Sequence, residues 1–376
     1  MPEYLSPGVF IEEVSFRSKT IEGVTTSTPA FVGVATSGPT DEAQLVESFA
    51  DFEKHYGKSG LDSYLAHAVR LFFANEGKRA YIARVAATIN TTPSERQVMA
   101  AIQLLDDIDG FSLLAIPDIT TLSVIDFAIN YCERRGDCFY IADLPRSVNT
   151  TTQAQQAMQS LTDKSSFAAA YYPWLQIHDP VSRTQIAIPP SGAIAGVYAR
   201  MDEARGVWKT PAGTDASLRA VTGLVDSISQ QEQGLLSPTG LNVLRDNVAS
   251  DPVVWGASTL ARRDLEYRYV PVRRTAIFIE QSILKGTQWA VFEPNNDTLW
   301  SQLRDSVSDF LNALFRQGAF AGSKPDAAYF VKCDRQTTTR SDINNGIVNI
   351  ELGFAPLRPA EFVVLSIKQK AGQKKS

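Results

Sequence analysis

Short apolar runs alternate with amphipathic stretches between about residues 28 and 205, and this alternation limits the folds open to the chain more than any other feature. The amphipathic stretches, at 61–77, 94–108 and 121–136, place apolar residues at helical spacing. Apolar strands separated by such helices are typical of a largely parallel sheet with helices on its faces. The sequence therefore predicts an α/β domain. Its predicted strands are AFVGVA (30–35), AYIARVA (80–86), FSLLAI (111–116), CFYIAD (138–143) and FAAAYYPWLQI (167–177).

A second unit, of α+β character, is predicted beyond about residue 250, after a less regular stretch that contains Gly and Pro. Its clearest element is a long helix capped by Asn296 or Asp297. We expect this helix to accompany a helix at 273–286 and strands at 267–272, 327–334 and 346–354. The core stripe of the long helix is Leu299, Leu303, Val307, Phe310 and Leu314. The predicted divisions are an N-terminal β-arm and linker (1–27), an α/β domain (28–250), a C-terminal domain (251–355) and a C-terminal β-arm with a basic tail (356–376).

Composition narrows the possible functions. The formal net charge of -5 argues against general nucleic-acid affinity, because phosphate binding needs a basic surface. No apolar stretch reaches the length of a membrane span, and the start of the chain lacks the pattern of a signal peptide. The three cysteines, Cys132, Cys138 and Cys333, cannot form a disulfide framework, which indicates synthesis in the reducing cytoplasm.

A parallel sheet invites an enzymatic interpretation, because ligands often bind at the carboxyl ends of its strands. Asp118 and Asp143 each follow a predicted strand, His178 and Asp179 follow another, and Ser191 begins a helix. However, an acidic residue just past a strand commonly caps the next helix, and no catalytic, phosphate-binding or zinc motif accompanies these residues. The acidic stretches 106–110 and 342–346 lack the frame of a calcium loop. The sequence predicts no catalytic residues, no metal and no cofactor.

Both ends of the chain carry short strand-forming segments joined to the rest by polar or Pro-containing connectors, at about 15–27 and 355–360. One hypothesis is that each arm docks on its own domain. The other is β-augmentation, in which each arm adds a strand to a neighbouring copy; opposite charges on the two arms favour it modestly. One arm given and one received makes a heterologous contact that propagates into rings or helices. The candidate exchange residues are Val9, Phe10, Ile11, Glu12, Glu13 and Val14 in the N-terminal arm, and Phe362, Val363, Val364, Leu365, Ile367 and Lys368 in the C-terminal arm.

Several ordered blocks resemble contractile tail sheath proteins of phage tails, bacteriocins and contractile injection systems. YLSPGVFIEEV at 4–14 and TIEGVTTSTPAFVGVATSGP at 20–39 resemble the start of that family, and SGAIAGVYARMDEARGVWKTPAG at 191–213 resembles its middle. The similarity is greatest in LNVLRDNVASDPVVWGASTL (241–260), in 267–300 and in 330–367, and it extends over nearly the whole chain. The stretch from about 90 to 165 is least like other members.

This resemblance implies a structural subunit, not an enzyme. The subunit would polymerise as stacked rings around an inner tube protein and contract to drive the tube through a target cell envelope. The α/β domain would face outward, the C-terminal domain and N-terminal arm inward, and the flexible connectors would allow the domains to rotate. The arms would join the sheet of other copies, with acceptor residues Ile347, Val348, Ile350 and Leu352.

The resemblance also implies baseplate and tail-terminator proteins as partners, with neither nucleic-acid binding nor membrane insertion. The subunit would be synthesised and assembled in the cytoplasm as part of a phage tail or of a released phage-tail-like particle. Candidate tube-facing residues are Lys324, Lys332, Arg335, Arg340 and Asp342; the alternative is that these are solvated loop charges. The competing functional classes are a hydrolase-like or metal-dependent enzyme with strand-swapped termini and a non-contractile structural oligomer.

Overall fold

Alternate residues of the central strands point to opposite faces of one large sheet, and helices cover both faces. The structure, a computed structural model, describes residues 19–57, 63–89, 91–247, 250–357 and 363–370. In the first strand of the sheet (Pro29–Gly33), Phe31 packs into one core while Ala30 and Val32 pack into the other. Strands buried on both faces have no polar side, which explains the uninterrupted apolar runs in the sequence.

Within the described residues this sheet has eight strands, in the order β11-β10-β6-β5-β4-β1-β3-β2. The six central strands are parallel, and the two edge strands, β2 and β11, pair antiparallel with their neighbours. The predicted α/β architecture is confirmed. The strands are β1 (Pro29–Gly33), β2 (Ala43–Val46), β3 (Ala80–Arg84), β4 (Leu113–Ala115), β5 (Phe139–Asp143), β6 (Ala168–Tyr172), β10 (Asn242–Asn247) and β11 (Ser250–Val254).

Of the seven described helices around this sheet, three lie in the predicted amphipathic stretches at 61–77, 94–108 and 121–136. Ser94 caps its helix through a capping box with Gln97, and Gly136 ends another in the left-handed conformation. The helix at Ser191–Arg205 differs, because residues 191–201 are buried on every side. The helices are α1 (Phe49–Tyr56), α2 (Tyr64–Ala74), α3 (Glu95–Gln103), α4 (Leu122–Arg135), α5 (Thr151–Gln159), α6 (Ser191–Arg205) and α7 (Gln230–Leu236).

A small sheet branches from the large one where a single strand was predicted. The run at 167–177 forms two strands, β6 and β7 (Leu175–His178), because Pro173 lies between them and cannot donate a ladder hydrogen bond. β7 pairs antiparallel with β8 (Gln185–Ile188) and β9 (Gly223–Leu224). The sequence therefore located the apolar run but not its division.

The C-terminal domain packs two long helices, α8 (Val270–Gly286) and α9 (Asp297–Arg316), with a second three-stranded sheet. Asn296 caps α9 as predicted, and all five residues of its predicted stripe are buried. The sheet has the order β12-β13-β14 and is antiparallel. Its strands are β12 (Tyr329–Lys332), β13 (Ile347–Phe354) and β14 (Val363–Lys370), and the short helices α10 (Pro325–Ala328) and α11 (Arg340–Asn344) flank them.

Two sequence-based predictions for this region are wrong. The segment 267–272 is not a strand: Val270 begins α8, and Pro271 lies in its first turn, where a missing N–H costs nothing. The large sheet also continues past the predicted boundary near 250, through β11, and Leu260 still belongs to its core. Val272 is the first residue of α8 that belongs to the core of the C-terminal domain.

Candidate assembly interface

The predicted acceptor strand, β13, lies in the middle of the C-terminal sheet. Val348, Ile350 and Leu352 point into the core of that domain, while Ile347 is half-buried on the other face. β13 pairs along its full length with β14, from Ile347 opposite Lys370 to Phe354 opposite Val363. In the single chain, β14, the strand predicted to be donated to another copy, pairs with the β13 of its own chain. Exchange between copies therefore stays a prediction.

The exchange residues are only partly within the described chain. Val363, Val364, Leu365, Ile367 and Lys368 belong to β14, of which the structure describes the backbone. The N-terminal candidates Val9, Phe10, Ile11, Glu12, Glu13 and Val14, together with Phe362, lie outside the described residues.

The connector that follows the N-terminal arm is docked from residue 19 onward. We call residues 19–28 the strap. Ile21 is buried in the C-terminal core and lies so close to Gly286 that a Cβ there would fall 2.7 Å from Ile21 Cγ2. The backbone N–H of Val24 donates to Ser282 Oγ at 3.0 Å. The prediction of a flexible connector over 15–27 is therefore wrong for 19–27, because burial of Ile21 and hydrogen bonds hold the strap on α8.

The C-terminal connector is also held at its start. The N–H of Ala355 donates to the carbonyl of Ala328 at 2.7 Å, and the N–H of Ala321 donates to the carbonyl of Ala355 at 2.9 Å. Pro356 forms an isolated bridge with Phe320. The predicted flexibility of 355–360 is therefore wrong for 355–356, and residues 358–360 lie outside the described part of the chain.

A buried ion pair joins the strap, the α/β domain and the C-terminal domain. The guanidinium of Arg274 on α8 donates to both carboxylate oxygens of Asp202 on α6, at 3.0 and 2.5 Å. Thr26 of the strap completes the group: its hydroxyl donates to Asp202 at 2.7 Å, and its carbonyl accepts from Arg274 at 2.9 Å. The side chains of Arg274 and Asp202 are only 3% and 4% exposed. We call Thr26, Asp202 and Arg274 the joint.

The electrostatics of the joint depend on full pairing. Burial raises the pKa of Asp202, while the charge and hydrogen bonds of Arg274 and the hydroxyl of Thr26 act in the opposite direction. The guanidinium of Arg274 also lies 4.4 Å from the ring centroid of Tyr198, one turn before Asp202 on α6. Such a pair costs desolvation energy and holds only when its geometry is complete.

Sequence reasoning missed the joint, although a signal was present. Arg274 lies four residues after Val270 and three before Ile277, both of which are buried on α8. A charge at that spacing falls on the apolar face of a helix, where it needs a partner. Nothing in the sequence indicates that Asp202 is that partner.

The predicted tube-facing residues lie on loops and short elements of the C-terminal domain. Lys324, Lys332, Arg335 and Arg340 are exposed. Arg335 donates to Asp297 at the start of α9, at 2.7 Å. Asp342 has a local structural role: Thr339 caps α11, and the carboxylate of Asp342 accepts from the N–H and the hydroxyl of Thr339, which completes the capping box.

The candidate catalytic residues do not form a catalytic group. Asp143 accepts hydrogen bonds from the N–H and the hydroxyl of Ser191, at 2.8 and 2.7 Å, at the beginning of α6. His178 lies at the exposed end of β7, and no hydrogen bond among the described residues joins it to Asp143 or Ser191. Asp179 accepts hydrogen bonds from two N–H groups of the turn that follows it. These contacts organise a helix start and a turn.

Burial accounts for the titration of the acidic residues near this edge of the sheet. It raises the pKa of Asp143 to about 7, against the hydrogen bonds from Ser191. It also raises the pKa of Asp118 to about 6, against the charge of Arg146. Perturbed carboxyl groups can mark catalytic sites, but among the described residues no hydrogen bond joins either carboxyl to His178.

The described residues contain no cluster of three or more His, Cys, Asp or Glu side chains arranged to hold a metal ion. Among the helices of this part of the chain, none is both long and apolar enough to cross a bilayer.

Comparison with known proteins places these features in a family. The model described as the phage tail sheath protein central domain matches residues 92–260, and the model described as the phage tail sheath C-terminal domain matches residues 263–370. A putative prophage major tail sheath protein of Pseudomonas aeruginosa (strain UCBPP-PA14) is 23% identical over 378 residues, covering 94% of each chain.

Solved structures agree with these matches over the full length. The sheath complex of PVC, an extracellular contractile injection system in its contracted state, has 31% sequence identity and a TM-score of 0.78, covering 98% of this chain and 99% of that one. The contracted helical sheath of the anti-feeding prophage has 30% identity and a TM-score of 0.75, covering 96% of this chain and 99% of that one. The chain is a member of the contractile tail sheath family.

Proposed function

We propose that this chain polymerises as stacked helical rings around an inner tube and contracts to drive that tube through a target cell envelope. The observation that carries the proposal is the full-length match, at 30% identity and a TM-score of 0.75, to the contracted helical sheath of the anti-feeding prophage. Because the match covers both domains of the chain, the proposal concerns the whole subunit. The particle is a phage tail, a bacteriocin or an injection system, assembled in the cytoplasm.

The copies are held together by exchanged strands. Eight residues, 355–362, separate β13 from β14, whereas hairpin loops usually contain two to five. A connection of that length can give β14 to the β13 of another copy while preserving the same ladder, as in domain swapping. The outer edge of β14 then offers backbone groups to the N-terminal strand predicted at residues 9–14. Backbone hydrogen bonds and burial of apolar side chains supply the affinity.

The tube is contacted by polar residues of the C-terminal domain. Lys324, Lys332 and Arg340 are exposed, and the charge pairs they could form with a tube are weak enough to break during contraction. Baseplate and tail-terminator proteins would contact the two ends of the polymer. Contraction draws on free energy stored during assembly, so the mechanism needs no nucleotide, metal or catalytic residue.

Electron microscopy of the purified chain, alone and with its tube protein, tests this function. We expect striated hollow cylinders, which an enzyme with swapped termini would not form. Cylinders that enclose the tube and occur in a long and a short form would support contraction. Compact soluble oligomers at all concentrations, with or without the tube protein, would contradict the proposal.

A further inference from the structure

A crevice opens at the carboxyl ends of β1 and β4, the neighbouring strands at which the strand order of the large sheet reverses. From β1 the chain continues to β3 on one side, and from β3 it crosses back to β4 on the other. The helix α2 packs on one face of the sheet, whereas α3 and α4 pack on the opposite face. In open α/β sheets, ligands bind in the crevice at such a reversal. The proposed function does not use this crevice.

The crevice contains a cavity of about 400 Å³ with largely apolar walls. Small-molecule sites usually have volumes of about 300–1,000 Å³, so the cavity is large enough for a small ligand. Gly33 at the end of β1 allows α2 to approach closely, since a Cβ there would fall 3.0 Å from Leu65 Cβ. The walls come from the ends of two strands and from three helices. Their apolar residues include Val34, Leu65, Val98, Ile119 and Val124.

The carboxylate of Asp118 lies among these apolar walls, three residues after β4. Its backbone has a φ of 67°, in the left-handed region that Asp tolerates better than most residues. Within the described part of the chain, no hydrogen bond or ion pair holds this carboxylate, and burial raises its pKa to about 6. A half-buried charge without a partner is unfavourable. The cavity therefore presents one half of an ion pair.

The other charges at the cavity are also negative. Glu95 is exposed on its rim, and the pKa of the buried Asp143 beneath is raised by burial and further by the charge of Asp118. The positive charge of Arg146 acts on Asp118, but its guanidinium donates to the hydroxyl of Tyr64 at 3.1 Å. Among the described residues that line the cavity there is no lysine, arginine or histidine. Apolar walls with a negative potential favour a ligand that is both apolar and positively charged.

We propose that this crevice binds an organic cation, whose ammonium or guanidinium group pairs with Asp118 and whose apolar body contacts Val34, Leu65 and Val98. Thr121 begins α4 without making a side-chain capping hydrogen bond, and its hydroxyl lines the cavity and can accept from the same cation. Every residue of the site belongs to the α/β domain. The site therefore does not depend on the proposed strand exchange or on assembly.

Isothermal titration calorimetry of the full, dispersed chain with phenethylammonium tests the site. At about pH 8 Asp118 is ionised and the probe is protonated. Asp118→Asn removes the charge but keeps the shape, and Asn also tolerates a positive φ. We expect this substitution to raise the Kd by about tenfold or more, as the loss of a charged hydrogen-bond partner does. Asp41→Asn is the matched control, because Asp41 is exposed and carries the same charge.

Two further probes separate the contribution of the charge from that of the apolar body. The probe 2-phenylethanol has the same ring without the charge, and ethylammonium has the charge without the ring. We expect each to bind at least about tenfold more weakly than phenethylammonium. Equal binding of the alcohol would contradict the ion pair with Asp118, and equal binding of ethylammonium would contradict the apolar contacts.

Methyl NMR of the chain with labelled Val and Leu residues locates the bound probe. Phenethylammonium should shift the signals of Val34, Leu65 and Val98 and leave that of Leu265, which is exposed on a loop, unchanged. Saturable shifts confined to the cavity support the proposal. It would be overturned by the lack of saturation at millimolar probe, by shifts only outside the cavity, or by an unchanged Kd in Asp118→Asn. The dispersed chain is used, so failure of this test is separate from failure to form cylinders.

Discussion

At the scale of single residues, Arg274 and Asp202 form a buried ion pair between two domains. Replacing one partner of such a pair leaves the other charge without compensation in the interior. The structure therefore predicts a large difference between this pair and an exposed pair such as Arg335 with Asp297, whose side chains are 80% and 66% exposed.

We expect Arg274→Met to lower the free energy of unfolding by about 3–5 kcal/mol, because Asp202 would stay buried without its counter-ion. Arg335→Met is the control and should leave the unfolding midpoint unchanged, since its ion pair is solvated. Urea unfolding followed by circular dichroism measures both. Equal effects of the two substitutions would show that the buried pair of Arg274 with Asp202 contributes no more to stability than the exposed pair of Arg335 with Asp297.

The buried carboxyl of Asp143 predicts a pH dependence. Its pKa is raised from 3.8 to about 7 by burial, so between about pH 4 and 7 the unfolded chain loses a proton that the folded chain keeps. Stability should fall over this window by up to about 1.4 kcal/mol per pH unit and level off above it.

Asp143→Asn should flatten that fall, although Asp118, whose pKa is raised to about 6, contributes in the same direction. Unfolding midpoints at several pH values provide the measurement, with Asp41→Asn on the surface as the control. A profile for Asp143→Asn as steep as that of the parent chain would mean that Asp143 is ionised in the folded state.

Residue roles could be predicted from the sequence where they are local. Asn296 was predicted as a possible cap of α9 and is its cap. Asp143, expected to cap the helix that follows its strand, instead accepts hydrogen bonds from Ser191 at the start of α6, while Thr150 caps α5. The pairing of Arg274 with Asp202 and Thr26 could not be predicted, because residues far apart in sequence meet only when two domains and the strap are packed. Long-range partners require tertiary structure.

At the scale of elements, the strap depends on close contact with α8. Gly286 is the residue that permits this contact, since any Cβ there would meet Ile21. The strap is held on α8 partly by the contact of Ile21 with Gly286. Loss of this contact should therefore release the start of the strap from α8.

We expect Gly286→Leu to detach the strap, so that the peptide bond after the already exposed Lys19 can enter the active site of trypsin. Loss of Ile21 burial corresponds to about 2 kcal/mol, or roughly thirtyfold in the fraction open to cleavage. Gly234→Leu is the control, because a Cβ at Gly234 meets nothing within 4 Å. Timed proteolysis with mass spectrometry locates the cut. Cleavage after Lys19 at the parent rate would contradict docking of the strap on α8.

Elements were predictable where periodicity was strong and unpredictable where a proline decided the outcome. Five of the six parallel strands (β1, β3, β4, β5 and β6) and the core stripe of α9 follow from apolar runs and helical spacing, whereas β2, β10 and β11 were not predicted. Pro173 divides a predicted strand, and Pro271 lies inside a helix that was predicted to begin later. Proline is tolerated both in the first turn of a helix and at the edge of a sheet. Composition alone therefore does not show which of the two a given proline occupies.

At the scale of the whole molecule, the two arms are expected to be needed for assembly but not for folding. Deletion of residues 1–15 or 360–376 leaves the strap, both domain cores and the β12–β13 pair in place. We therefore expect folded monomers that form no cylinders. Circular dichroism should show near-parental unfolding, and electron micrographs should lack tubes. Long tubes from either truncated chain would contradict assembly through the arms.

A helical cryo-EM reconstruction of assembled cylinders tests strand exchange most directly. The density through residues 358–362 shows which copy supplies the strand that pairs with 347–354. Our account predicts that this strand belongs to a neighbouring copy and that residues 9–14 of another copy lie along its free edge. Density that leads each C-terminal strand back to its own β13, with no foreign strand beside it, would contradict the account.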